Sequence, residues 1–141
     1  MCVRLVSIIS VFTLIALALG ACAQRARYGE PGPVYPADVT QSDVLNIQIV
    51  QMPRYVQFTN TSARSIPEAR LWLNAWFSAP VSDISVGETV KVKLNEFADE
   101  HGGRPRSGGF FAARESEPLV LAQLEIAGEF FGLVLVSPDA R

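Results

Sequence analysis

Apolar and polar positions alternate with a period of two along most of the chain beyond residue 42, the mark of half-buried strands. Leu45, Ile47 and Ile49 fall on one face, with Asn46 and Gln48 opposite. Val56 and Phe58 alternate with Gln57 and Thr59. The clearest case is the stretch Thr89 to Leu94, where Val90, Val92 and Leu94 point inward while Lys91 and Lys93 point out, with Gly87-Glu88 as a turn before it. Val120, Ala122, Leu124 and Ile126 make a further inward row. Ala127-Gly128 then separates that row from Glu129 to Val136, whose near-continuous apolar character suits a strand covered on both faces. A short glycine-containing turn between two such runs predicts a hairpin.

One segment admits two readings. Ser65-Ile66-Pro67-Glu68 ahead of Ala69 to Phe77 matches a capping box entering a helix, with Arg70, Asn74 and Ser78 as a polar stripe. The strand alternative puts Ala69, Leu71 and Leu73 on one face and uses Asn74-Ala75 as a hairpin turn. Strands are favoured, because short strands punctuated by turns dominate the rest of the chain.

The first stretch follows a different pattern. Arg4 precedes an apolar run from Leu5 to Leu19, interrupted only by Ser7, Ser10 and Thr13, and small residues follow at Gly20 and Ala21. This is the order of a secretory signal. A spanning helix needs about 20 apolar residues, which the run only approaches. Leu19-Gly20-Ala21-Cys22 resembles the lipobox of bacterial lipoproteins. The resemblance implies cleavage between Ala21 and Cys22 and attachment of a diacylglyceryl group to the Cys22 thiol. Two acyl chains suffice for stable anchoring, where one holds only marginally. Ala23 stands where an aspartate would resemble an inner-membrane retention signal. The expected location is therefore the outer membrane, facing the periplasm.

This organisation changes what composition means. Residues 1–21 form the leader, and residues 22–41 carry the lipidated cysteine and a Pro/Gly-rich tether. A β-domain is expected over 42–137, and a short tail over 138–141. Cys2 leaves with the leader, so the mature chain has no second thiol for an internal disulfide. Loss of Arg4 takes the 12 basic residues to 11 against 14 acidic ones, a mildly acidic balance of −3 without a basic stripe for nucleic acid. The tether holds Pro31, Pro33 and Pro36 with Gly29 and Gly32. Fully extended at ~3.1 Å per residue, about 15 such residues would reach roughly 40–50 Å.

Thr59-Asn60-Thr61-Ser62, the Leu71-Trp72-Leu73 strand and Val86-Gly87-Glu88-Thr89 leading into an alternating strand resemble small immunoglobulin-like modules of bacterial envelope proteins. The resemblance implies an all-β fold, an immunoglobulin-like antiparallel β-sandwich, of a kind used for adhesion, spacing or docking. The Cys…Trp…Cys spacing of antibody domains is absent.

Candidate chemistry is sparse. His101 is the sole histidine and follows Asp99 and Glu100, with Glu96 nearby. Adjacent residues point in different directions, and metal sites need several ligands at fixed offsets. A solvated turn is thus favoured over a metal site, and no cofactor is expected. Arg104 and Arg106, in a loop rich in glycine, could grip a carboxylate or phosphate of a partner. A flexible connection is the commoner role for such a loop. Trp72 and Trp76 serve either a core or an exposed platform for a glycan. Asn60-Thr61-Ser62 matches a glycosylation sequon, a use that bacterial lipoproteins do not favour. The expectation is a non-catalytic, lipid-anchored envelope protein that docks, spaces or stabilises a protein partner. Binding of a glycan or cell-wall fragment is the alternative.

Overall fold

A computed structural model describes residues 29–110, 112 and 114–136. Leu19, Ala21, Cys22 and the 138–141 tail lie outside the described residues. The described chain is all-β. Seven strands run in the order β1 (Gln41–Gln51), β2 (Tyr55–Thr59), β3 (Ala69–Leu73), β4 (Phe77–Val81), β5 (Thr89–Lys93), β6 (Ala122–Ile126) and β7 (Glu129–Val136), with one 3-10 turn at Leu94–Glu96.

The segment with two readings is the β3–β4 hairpin. Its β-residues share one inward row, Ala69, Leu71 and Leu73 on β3 facing Val81, Ala79 and Phe77 on β4. Asn74 and Ala75 both take left-handed backbone, at φ 55° and 55°, which gives the primed turn that matches strand twist. Ala127 and Gly128 do the same between β6 and β7, at φ 51° and 84°.

The strands form a single seven-stranded sheet in the spatial order β4-β3-β6-β7-β1-β2-β5. This departs from the expected sandwich of antiparallel sheets in two respects. All ladders are antiparallel except β1–β7, which is parallel and joins the first and last strands of the described residues. The sheet also curls until it is nearly closed like a barrel. After β5 the chain turns through Leu94–Glu96 and reaches the free edge of β4. There Ser78 and Ala98 exchange both backbone hydrogen bonds, each 3.0 Å long. Pro80 shares the outward-facing parity of Ser78 on β4, so its missing N–H falls on the edge side and costs no bond to β3. Alternation gives each strand its inner face; it carries no information on which strands become neighbours.

The interior holds Ile47 and Ile49 from β1, Val56 and Phe58 from β2, Leu71 and Leu73 from β3, Leu124 from β6 and Phe97 from the closing segment. Ile47, Ile49, Leu71, Leu124 and Phe97 have no solvent exposure. Full burial of one such side chain stabilises by about 1.5–3 kcal/mol, so these rows account for the curl. Val120, expected as the first residue of the β6 row, is outside the strand and exposed. β7 is covered on both faces only in its first half, since Val134 and Leu135 reach solvent.

A second, smaller cluster sits on the outer face. Trp72 points away from Leu71 and Leu73 and meets Phe130 and Tyr35, with ring centroids 6.4 and 5.1 Å away. Tyr35 belongs to the stretch read as a tether. Residues 29–40 of that stretch lie along the domain: the Gly29 N–H donates to the Gly102 carbonyl at 3.0 Å and the Gly32 N–H to the Asp99 carbonyl at 2.7 Å. The Tyr35 hydroxyl donates to Gln123 Oε1 at 2.8 Å. Gly132 makes room beside it, because a Cβ there would stand 2.8 Å from the Gln41 amide.

Candidate functional site

One end of the barrel is closed by the long connection between the 3-10 turn and β6, and most of the residues singled out for chemistry gather there. Two amides hold this connection. Asn74, at the β3–β4 turn, accepts from the N–H groups of Val120 at 2.8 Å and Leu121 at 3.2 Å through Oδ1. Its Nδ2 donates to the Pro118 carbonyl at 2.9 Å. Gln51, at the end of β1, donates to the Glu117 carbonyl at 2.6 Å and accepts from the Leu119 N–H at 2.8 Å. Pro105 and Leu119 then line a small apolar space with Val56, Leu73, Phe77 and Leu94, at the mouth of the core. The connection is therefore a pinned plug rather than the free hairpin loop its glycines suggested.

Asp99 anchors the first part of the plug. Its carboxylate accepts from the His101 N–H at 2.8 Å, the Gly103 N–H at 2.7 Å and Trp76 Nε1 at 3.2 Å. Partial burial pushes the Asp99 carboxyl up, but these hydrogen bonds and the neighbouring His101 outweigh it and hold the group below its ordinary value. Gly102 sits at φ 79°, and a Cβ there would collide with the Gly29 carbonyl oxygen. His101 turns outward, with Nε2 at 3.4 Å from Glu100 Oε1. Glu100 alone meets the His101 ring while the Asp99 oxygens are taken by N–H donors, and among the described residues no group of three or more His, Cys, Asp and Glu is placed to hold a metal ion. The geometry assigns the Asp99 carboxylate to holding backbone.

The two tryptophans part company. Trp72 is 1% exposed, and its Nε1 donates to Glu125 Oε2 at 2.8 Å on the outer face of the sheet. Trp76 is 51% exposed beside Asp99. A joint platform of exposed tryptophans is thereby corrected: Trp72 fixes the strap, and only Trp76 offers its ring to solvent. Arg104 and Arg106 are both exposed. The Arg104 guanidinium lies over Gly29, where a Cβ would stand 2.7 Å from it. The Arg106 carbonyl accepts from the Glu117 N–H at 3.1 Å, which ties the two limbs of the plug together. Phe110, just beyond the glycines of this loop, is 96% exposed. Phe111 lies outside the described residues.

The Asn60 side chain is fully buried, and its Nδ2 faces the carbonyls of Arg64, Ile84 and Ser85 while Oδ1 accepts from Ser62. This amide is a structural hub, which leaves the sequon no accessible acceptor.

Three features of the domain carry little or no signal in the sequence pattern. Gln51 and Asn74 act as clamps, and a lone polar residue at a strand end carries no distinguishing signal. Tyr35 is different, because an aromatic inside a proline-rich run is a cue for docking. The third is a cleft of about 510 Å³ lined by Arg54, Tyr55, Lys93, Asn95 and Ser107. It joins residues from three segments, which no local pattern reveals. No family model matches the chain, and neither the curated proteins nor the solved structures contain a match to it.

Proposed function

We propose that this protein is a bacterial lipoprotein, anchored through Cys22, whose barrel-like domain docks an envelope protein partner at its plugged end without catalysing a reaction. One observation carries the docking reading: exposed Trp76 and Val120 flank the Asn74 clamp, so apolar side chains are presented on backbone that is already fixed. Fixed backbone lowers the ordering cost of association. Aromatic and arginine side chains, here Trp76 at the β3–β4 turn with Arg104 and Arg106 in the plug beside it, are the residue types that dominate interface energies. The lipid anchor rests on the Leu19-Gly20-Ala21-Cys22 sequence.

The test has two arms. Cys22→Ser is expected to abolish acyl labelling; normal labelling of the variant removes the anchor reading. A photocrosslinker at position 76 or 120 in native membranes is expected to capture one partner near stoichiometrically. With the crosslinker at position 120, Trp76→Ala should lose that capture while the domain stays folded, and unchanged capture refutes docking at this end.

A second reading, glycan binding, is supported by the exposed Trp76 ring beside the Asp99 carboxylate, an apolar face next to a hydrogen-bond acceptor. Cell-wall fragments should then quench or shift Trp76 fluorescence in saturable fashion. A flat titration ends that reading.

A further inference from the structure

We propose that the cleft between the β1–β2 turn, β5 and the plug binds a phosphate group. Tyr55 and Lys93 are directly opposed across the β2–β5 ladder, and Gln57 opposes Lys91. Lys91 and Lys93 therefore stand on the same face, roughly 7 Å apart along the strand. Lys91 Nζ lies 5.7 Å from the centre of the Tyr55 ring. Arg54 enters from the turn, and its backbone is fixed where its carbonyl accepts from the Leu94 N–H at 2.9 Å. Above it the Gly108 N–H donates to the Pro53 carbonyl at 2.7 Å, which brings Ser107 to the rim.

Two cations, Arg54 and Lys93, thus line one cleft, Lys91 adds a third charge on the same strand face beside the Tyr55 ring, and the lining contains no carboxylate. Among the described residues the sole ion pair is His101 with Glu100, so Arg54, Lys91 and Lys93 are not neutralised by an acid within 4.0 Å. This concentration of positive charge sits on a chain whose net charge is −2. Lysines on an edge strand also deter strand addition, and that accounts for Lys91 and Lys93 on β5. It accounts for neither Arg54 on the turn nor the concave shape. A planar guanidinium from Arg54, the Lys93 ammonium, an amide from Asn95 and a hydroxyl from Ser107 form a donor set that a phosphate with several acceptor oxygens satisfies. The cleft volume falls in the range of small-ligand sites, about 300–1,000 Å³. The phosphate could belong to a soluble ester or to a lipid headgroup, and the chemistry is common to both. The inference does not depend on the docking reading, which uses none of these side chains.

The experiment is amide chemical-shift mapping of the full chain in neutral detergent micelles. One titration uses inorganic phosphate, and the other uses micelles doped with phosphatidylglycerol. Saturable shifts at Tyr55, Lys93, Asn95 and Ser107 in the first arm identify a soluble phosphate site. Shifts confined to the second arm identify a headgroup site. Either response should weaken about tenfold or more in Arg54→Gln/Lys93→Gln and stay unchanged in Arg64→Gln, beyond the other end of β2. Lys91→Gln/Lys93→Gln serves as an independent pair should Arg54 prove needed for folding. Absence of shifts in both arms, or shifts that persist in the cleft variants, overturns the proposal.

Discussion

Ala75 and Ala127 hold left-handed backbone at φ 55° and 51°, where an L side chain is strained. Ala75→Gly should therefore raise stability by about 0.5–1 kcal/mol, since relief of roughly 1–2 kcal/mol of strain exceeds the added chain entropy. Chemical denaturation with an unchanged m-value checks it; lower stability would show that the turn tolerates alanine without strain. Asn60 is the opposite case, a fully buried amide whose loss leaves several partners unsatisfied. Asn60→Ala should cost about 2–4 kcal/mol, measurable by the same denaturation series, and a cost under about 1 kcal/mol would mean that water replaces it. Asp99 adds a pH dependence with a definite sign. Its carboxyl is held below the ordinary value of 3.8 in the folded state, so its contribution is present above that pH and disappears as pH falls through the lower, folded value. The protection of the His101 and Gly103 amides, measured against their intrinsic exchange rates, should fall on acidification below about pH 4 in the wild type. Asp99→Asn should remove that acid step, and a step that survives in the variant assigns it to another group.

At the scale of elements, the strap over 29–40 and the plug depend on each other. Gly29 and Gly32 hold Gly102 and Asp99, while Tyr35 covers Trp72 and Phe130. Burial raises the Tyr35 phenol, only partly offset by its hydrogen bond to Gln123. Tyr35→Phe should cost about 1 kcal/mol, the size of a single hydrogen bond. Tyr35→Ala should cost more and expose residues 29–40 to limited proteolysis; equal resistance in the Ala variant would mean that the strap is held by its glycines alone. The inward rows of β1, β2, β3 and β5 were legible because period-two patterning reports burial directly. The strap was not, because Pro31, Pro33 and Pro36 give the same composition to a spacer and to an extended segment lying on a sheet. The plug was hidden for a related reason: its glycines suggest mobility, and the clamps that remove it come from Gln51 and Asn74, far away in sequence.

At the scale of the molecule, the decisive fact is which strands are neighbours. Every local cue allowed two antiparallel sheets, yet the sheet runs continuously from β4 to β5, and among the described residues its one parallel ladder pairs β1 with β7. Such long-range pairing follows from how the inward rows fill a common interior, which no window of a few residues reports. Closure then rests on one small contact, the reciprocal bonds between Ser78 and Ala98. Without it the β4 edge would offer unpaired backbone groups, which invite pairing with another chain. Ala98→Pro deletes the donor to the Ser78 carbonyl and should destabilise the fold by about 1–3 kcal/mol. It should also raise the dimer fraction in sedimentation velocity, while Pro80 restricts the pairing to the Ser78 half of the strand. If the variant loses stability and stays monomeric at high concentration, Pro80 alone protects that edge, and the Ala98 bridge serves to seat Phe97 in the core.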